Sequence, residues 1–333
     1  MRLLLPALAA LLFAAPARAA DDGWSPRFTQ VTGEVFVYAK GADEGLPAAE
    51  GTPVEEGDRI ETGDDASAEV ALEPDSLMDL GSNTSFTVGS LAKTTSWFSL
   101  DLGSFVAKIR TLAEEGRGAM EVRTPTAVAA VRGTEFGLKV GEAGDTDVGV
   151  YDEGLVAVTA AGAKGGEEAD LTSNKEVTLS AGETGGFAPH PLERLKDRRQ
   201  VLTRLLARRA VVRRGWKNFS RRQVRAARVA WRKAMRARMK AMPKGERERL
   251  LGRFSQRRQR FKGMMRKIMQ RRGRRGQRGE RGQRGQRGER GQRGQNGMRQ
   301  GRQGRRNGPG RRRGRFGRFF RRGGERREGT GGP

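Results

Sequence analysis

Residues able to do chemistry are sparse in this 333-residue chain. It holds no cysteine and one histidine, His190, in the proline-flanked stretch "APHPLE". No His/Cys metal cluster can form, and a Ser-His-Asp triad would need His190 to leave that linker. Carboxylates are many, but they fall on turns and solvent-facing positions, as in an acidic surface rather than a paired-carboxylate site. "GDDAS" and "GDTD" offer oxygens to calcium without the spacing of a twelve-residue calcium loop, and both read as turns. The most pointed segment is "TPTAVAAVRGTEFGLKV", residues 124–140. Its Arg132-Gly133 lacks the Gly-Lys-Ser/Thr of a phosphate loop. Pro125 suits a strand's first residue, Gly133 permits a bulge or bend, and Phe136, Leu138 and Val140 resume alternation. Arg132 is expected to reach a carboxylate or backbone carbonyls beside the bend. Thr124, Pro125, Arg132, Gly133, Thr134 and Phe136 are thus read as a structural corner. No catalytic residue, metal or cofactor is expected, and the chain is not expected to be an enzyme.

The elements that would position this corner are strands. "FTQVTGEVFVYA" alternates through Val31, Val35 and Val37, and "SAEVALE" places Ala68, Val70 and Leu72 on one face. "SLMDL", "SFTV", "WFSLDL", "SFVAKIR", "AMEVRT", "EFGLKV", "DVGVY" and "LVAVTA" follow, separated by glycine, proline and asparagine turns. Short strands at this cadence, with no helix of ten residues between them, predict an all-β domain rather than parallel βαβ units.

The same strings carry a resemblance. "TPTAVAAVRGTEFGLKV", "TDVGVYDEGLVAV" and "LSAGE", with "VTGEVFVYA" and "GTPVEEGDRIETGDDASAEVALEPDSLMDLGSNTSFTV" upstream, resemble the FecR domain of bacterial envelope proteins. Pro74-Asp75-Ser76 stands where that family usually has Asp-Gly-Ser. The likeness covers about residues 28–187 and implies an all-β, twisted solenoid-like or sandwich-like fold in the periplasm. Founding members sense an outer-membrane transporter and relay to a sigma factor through a membrane helix and a cytoplasmic anti-sigma segment. This sequence shows neither, so the relay is not expected of it.

Charge divides the chain. Residues 20–190 carry 12 Lys and Arg against 31 Asp and Glu, and residues 191–333 carry 52 against 8. An acidic body joined to a basic extension is expected. The first 19 residues read as a signal peptide: Arg2, an apolar run from Leu3 to Ala15, then Ala17-Arg18-Ala19. The expected location is the periplasm or the exterior.

After a linker at 188–194, residues 195–272 change to helical period. Leu195, Leu202, Leu205, Trp216, Phe219, Val224, Trp231, Met235, Met239, Leu250, Phe254, Phe261, Met264 and Ile268 mark two or three amphipathic helices with arginine-rich polar faces. Their stripes are expected to pack on each other as a helical hairpin or to dock on a membrane surface or partner. Glycine recurs every third residue from Gly273 to Gly297, but without proline the 273–333 segment reads as a disordered Arg/Gly-rich tail rather than a collagen helix.

Arg271, Arg272, Arg274, Arg275, Arg278, Arg281, Arg311, Arg312, Arg313 and Arg315 are the expected polyanion-binding residues, by counterion release. Behind a signal peptide the polyanions on offer are anionic envelope polymers and lipid headgroups, with the acidic domain itself another candidate. The reading is a non-enzymatic envelope protein whose β-domain binds a protein or glycan while its basic region holds an anionic surface. The alternatives are an accessory component of a FecR-type signalling pathway and, less favoured, an extracytoplasmic nucleic-acid binder.

Overall fold

A computed structural model describes residues 23–92, 94–110, 120–162, 168–180, 186–268 and 270. All belong to the first of two compact units, Met1–Gly279. The expected signal peptide, the Arg/Gly-rich tail and the ten named arginines lie outside the described residues.

Sixteen strands are described. In chain order they are β1 (Arg27–Thr32), β2 (Val35–Tyr38), β3 (Leu46–Pro47), β4 (Arg59–Thr62), β5 (Ser67–Glu73), β6 (Ser76–Leu80), β7 (Ser85–Ser90) and β8 (Trp97–Lys108). Then come β9 (Met120–Arg123), β10 (Ala127–Val131), β11 (Glu135–Val140), β12 (Thr146–Val150), β13 (Val156–Ala160), β14 (Glu168–Leu171), β15 (Lys175–Leu179) and β16 (His190–Pro191). The all-β reading of this region holds, and His190 lies in β16, paired with Glu176 of β15.

The strands form two layers joined through β8. One layer runs β1-β5-β6-β8-β11-β12-β15-β16 and the other β3-β2-β4-β7-β8-β9-β10-β13-β14. Only the β8–β9 pairing is parallel among the described strands. The strand changes layer near Gly103, whose φ of +91° favours glycine and where a Cβ would lie 2.4 Å from the Thr84 hydroxyl. Phe86 meets Phe105 edge-on at 5.7 Å, and Phe105 meets Phe136 at 5.5 Å, within the core between the layers.

Alternation alone would leave each layer's outer face to water. Here the outer faces are apolar too. Phe36 and Tyr38 point away from Val35 and Val37, and all four residues of β2 are buried. Ala71, Leu77 and Val106 do the same on the first layer.

Helices cover both faces. A 3-10 turn, Lys196–Arg198, leads into α1 (Arg199–Gly215), which lays Leu202, Leu205 and Val212 on Ala71, Leu77, Val106 and Tyr151. The second helix, α2 (Arg221–Ala241), starts at Ser220 with a capping box to Gln223. A third, α3, spans residues 244–268. Met239 of α2 and Phe254 of α3 cover Phe36 and Tyr38, while Trp231 joins the main core and donates its indole N–H to the Pro47 carbonyl at 3.0 Å. The expected helices are present, but they do not form a self-packed hairpin. Their apolar stripes face the β-domain, because both of its outer faces supply apolar area that the helices bury.

Candidate interaction surface

The corner singled out in the sequence is packed structure. Thr124 and Pro125 lie before β10 and Thr134 and Phe136 after it, so these residues occupy opposite ends of a strand about 17 Å long rather than one cleft. At the first end the Thr124 and Thr146 hydroxyls are 2.9 Å apart, and Thr126 donates to Thr146 at 2.6 Å, all three buried. At the other end Gly133 has φ +96°, and the Thr134 hydroxyl donates to the Glu153 carbonyl at 2.7 Å. Glu135 pairs with Lys108 at 3.2 Å, and Lys108 also pairs with Glu153, whose carboxyl it holds below the usual range. Phe136 is in the core. Arg132 is exposed, and among the described residues no carboxylate or carbonyl holds it. The corner therefore fixes chain direction; among the described residues no nucleophile, base and acceptor converge there.

Charge chemistry concentrates instead where the helices meet the sandwich. Arg208 of α1 binds Glu69 at 2.7 Å, and Arg209 and Arg213 share Asp75. Burial opposes ionisation of Asp75, but those two guanidiniums hold its carboxyl below the usual range. Arg253 of α3 pairs with Glu34, Arg257 with Asp64, and Arg258 with Glu61 at 3.7 Å. The more exposed of these pairs, Arg253–Glu34 and Arg257–Asp64, contribute about 0–1 kcal/mol each.

One contact is of another order. Arg228 is 1% exposed and donates to both Asp58 oxygens at 2.6 Å and to the Pro53 carbonyl at 2.7 Å. Its guanidinium also lies 4.5 Å from the Trp231 ring centre. Burial pushes the Asp58 carboxyl up to about 6, with Arg228 opposing, and lowers the Arg228 pKa. This fork joins α2 to the loop before β4.

The opposite side of α2 is free of such partners. Arg222, Arg225, Lys233, Arg236 and Lys240 are exposed and recur at helical spacing around Val229, which is 64% exposed. None of the five is ion-paired among the described residues. They form a cationic stripe about 27 Å long. The arginines expected to bind polyanions lie beyond this helix, and the stripe belongs to the arginine-rich polar faces expected of residues 195–272. Its signal was present in the three-and-four spacing of cations opposite Val224, Arg228, Trp231, Met235 and Met239. Among the described residues no three His, Asp or Glu side chains group as a metal site, and no helix is long and apolar enough to cross a membrane.

Residues 58–156 match the family model described as FecR protein. Asp58, the carboxylate held by Arg228, is its first matched residue. No curated protein matches the chain. Among solved structures it is similar to two crystal structures of a candidate anti-sigma factor from Parabacteroides distasonis ATCC 8503, at 1.65 Å and 2.50 Å resolution. Each likeness has 18% identity and a TM-score of 0.36 over 43% of this chain. The chain spans 64% and 63% of those chains, under two thirds of their length.

Proposed function

We propose that this is an exported, non-enzymatic, signalling-related binding protein, in which the FecR sandwich recognises a protein or glycan partner and the basic C-terminal region holds it on an anionic envelope polymer or lipid surface. The observation that carries the reading is the division of labour among the cations. One set neutralises the sandwich's own carboxylates, and the α2 stripe faces solvent unpaired. Residues 271–333 add 23 arginines against four glutamates. A dense anion gains by displacing counterions from such a surface, and salt weakens the complex. The FecR match supports the signalling side of the reading. Because α1, α2 and α3 occupy apolar outer faces of both layers, a partner of the sandwich is expected at its exposed turns and strand edges.

The test is co-sedimentation of the full chain with vesicles of phosphatidylglycerol and phosphatidylcholine, across a salt series. Binding to the anionic vesicles should fall steeply with salt. Charge reversal of the five stripe residues, or truncation after Gln270, should each flatten that dependence. Equal binding to purely zwitterionic vesicles, or no binding at low salt, would refute the surface-holding role.

A further inference from the structure

The third helix lies on the sandwich from Phe254 to Arg258, where Arg257 donates to the Thr62 carbonyl and Arg258 pairs with Glu61, meets it again at Ile268, and stands off it in between. Near its middle Phe254, 1% exposed, packs on Phe36 with ring centres 4.5 Å apart. Near its end Ile268, also 1% exposed, sits on the backbone at Gly144. Between these anchors the helix and the turn-rich end of the sandwich enclose a groove of about 760 Å³. That volume lies within the range of sites for small organic ligands, about 300–1,000 Å³.

The walls of this groove define its chemistry. Leu102 of β8 faces it from the sandwich, and Phe261 and Met264 face it from the helix, both half-buried. Arg253 and Arg257 also line it, but they are engaged by Glu34 and Asp64. Arg260 and Lys267 are not ion-paired among the described residues, and they flank Met264 about one turn to either side. Asp64, which Arg257 offsets, and Glu142 are the carboxylates of the lining. A strongly hydrated ion would leave the apolar wall unused, and a neutral apolar molecule would leave the cations unused.

We propose that this groove binds a small amphipathic anion, its apolar body on Leu102, Phe261 and Met264 and its carboxylate or phosphate head taken by Arg260 or Lys267. This goes beyond attachment to an anionic surface, because it requires an apolar body and one defined groove. Titration calorimetry on the full chain, below the micelle concentration of each probe, would use laurate, dodecyl phosphate, dodecanol and inorganic phosphate. The two charged amphiphiles should bind, and dodecanol and inorganic phosphate should bind at least about tenfold more weakly.

Met264→Trp should fill the groove and weaken the charged probes by about tenfold or more. The paired change Arg260→Glu and Lys267→Glu should do the same at exposed positions, leaving thermal unfolding of the free protein unchanged. That pair decides the matter if Met264→Trp fails to fold. A preference for laurate over dodecyl phosphate would identify a fatty carboxylate as the ligand class, and the reverse a phospholipid-like anion. Equal affinity for dodecanol, or affinity unchanged in the charge-reversed variant, would overturn the proposal and place the binding on the general cationic surface.

Discussion

Arg228 and Asp58 stand 170 positions apart in the chain and meet in the interior through two 2.6 Å contacts, each side chain 2% exposed. The pair makes the basic segment part of the fold. Removing the acid leaves a buried guanidinium, and removing the base leaves a buried carboxylate. Arg228→Ala should therefore destabilise the protein by about 3–5 kcal/mol, read from urea unfolding. The double change Arg228→Met with Asp58→Leu should recover much of that loss, since neither charge is then stranded. A loss under about 0.5 kcal/mol for Arg228→Ala would show that the fork is not made in solution.

Gly133 supplies the second prediction. Its φ of +96° is a conformation that a β-branched side chain resists. Gly133→Val should cost about 1–3 kcal/mol in thermal or urea unfolding, and Gly133→Asn less. Equal midpoints for the valine variant and the parent would remove the corner's structural role.

A pH effect follows from the buried acids. Burial raises the Asp58 and Asp79 carboxyls from 3.8 to about 6, against the pull of Arg228 on the first and of Arg204 and Arg198 on the second. Each holds its proton in the folded protein at pH values where the unfolded chain has released it. The folded state thus binds more protons between about pH 4 and 6, and these groups' stabilising contribution falls as pH rises through that window. Urea midpoints at pH 5 and pH 7 should differ less for Asp79→Asn than for the parent. An identical pH profile in the two proteins would place Asp79 in water.

The covering of both sheet faces supplies a fourth expectation. A chain ending at Pro191 would bare Phe36, Tyr38, Ala71, Leu77 and Val106, whose outer-face partners lie on α1, α2 and α3. It should bind a hydrophobic dye and self-associate at concentrations where the full chain is monodisperse. A monomeric, dye-negative truncation would mean that the sandwich closes without its helices.

Several of these features were written locally and others were not. The alternation of β5, β6 and β11 and the turn glycines announced strands, and the three-and-four spacing of apolar residues after Leu195 announced helices. Each of those signals arises within a few residues, from backbone geometry and side-chain periodicity. The unbroken "VFVY" of β2 already departs from alternation, as a strand covered on both faces must. Arg228 likewise interrupts an apolar stripe between Val224 and Trp231, which marks it as unusual without naming its partner.

What the sequence by itself determined is therefore an acidic strand-rich body with a FecR resemblance, a basic helical segment and the direction of their mutual attraction. Only the tertiary structure decided that the helices cap the sheets rather than each other, that Arg228 belongs to Asp58, and that α3 spans a groove between Phe254 and Ile268. The physical reason is range. Periodicity reports which face of an element is apolar, but any complementary apolar face will satisfy it. The choice among faces is made by contacts between residues far apart in the chain, where the fit of shape and the cost of stranding a charge select one pairing.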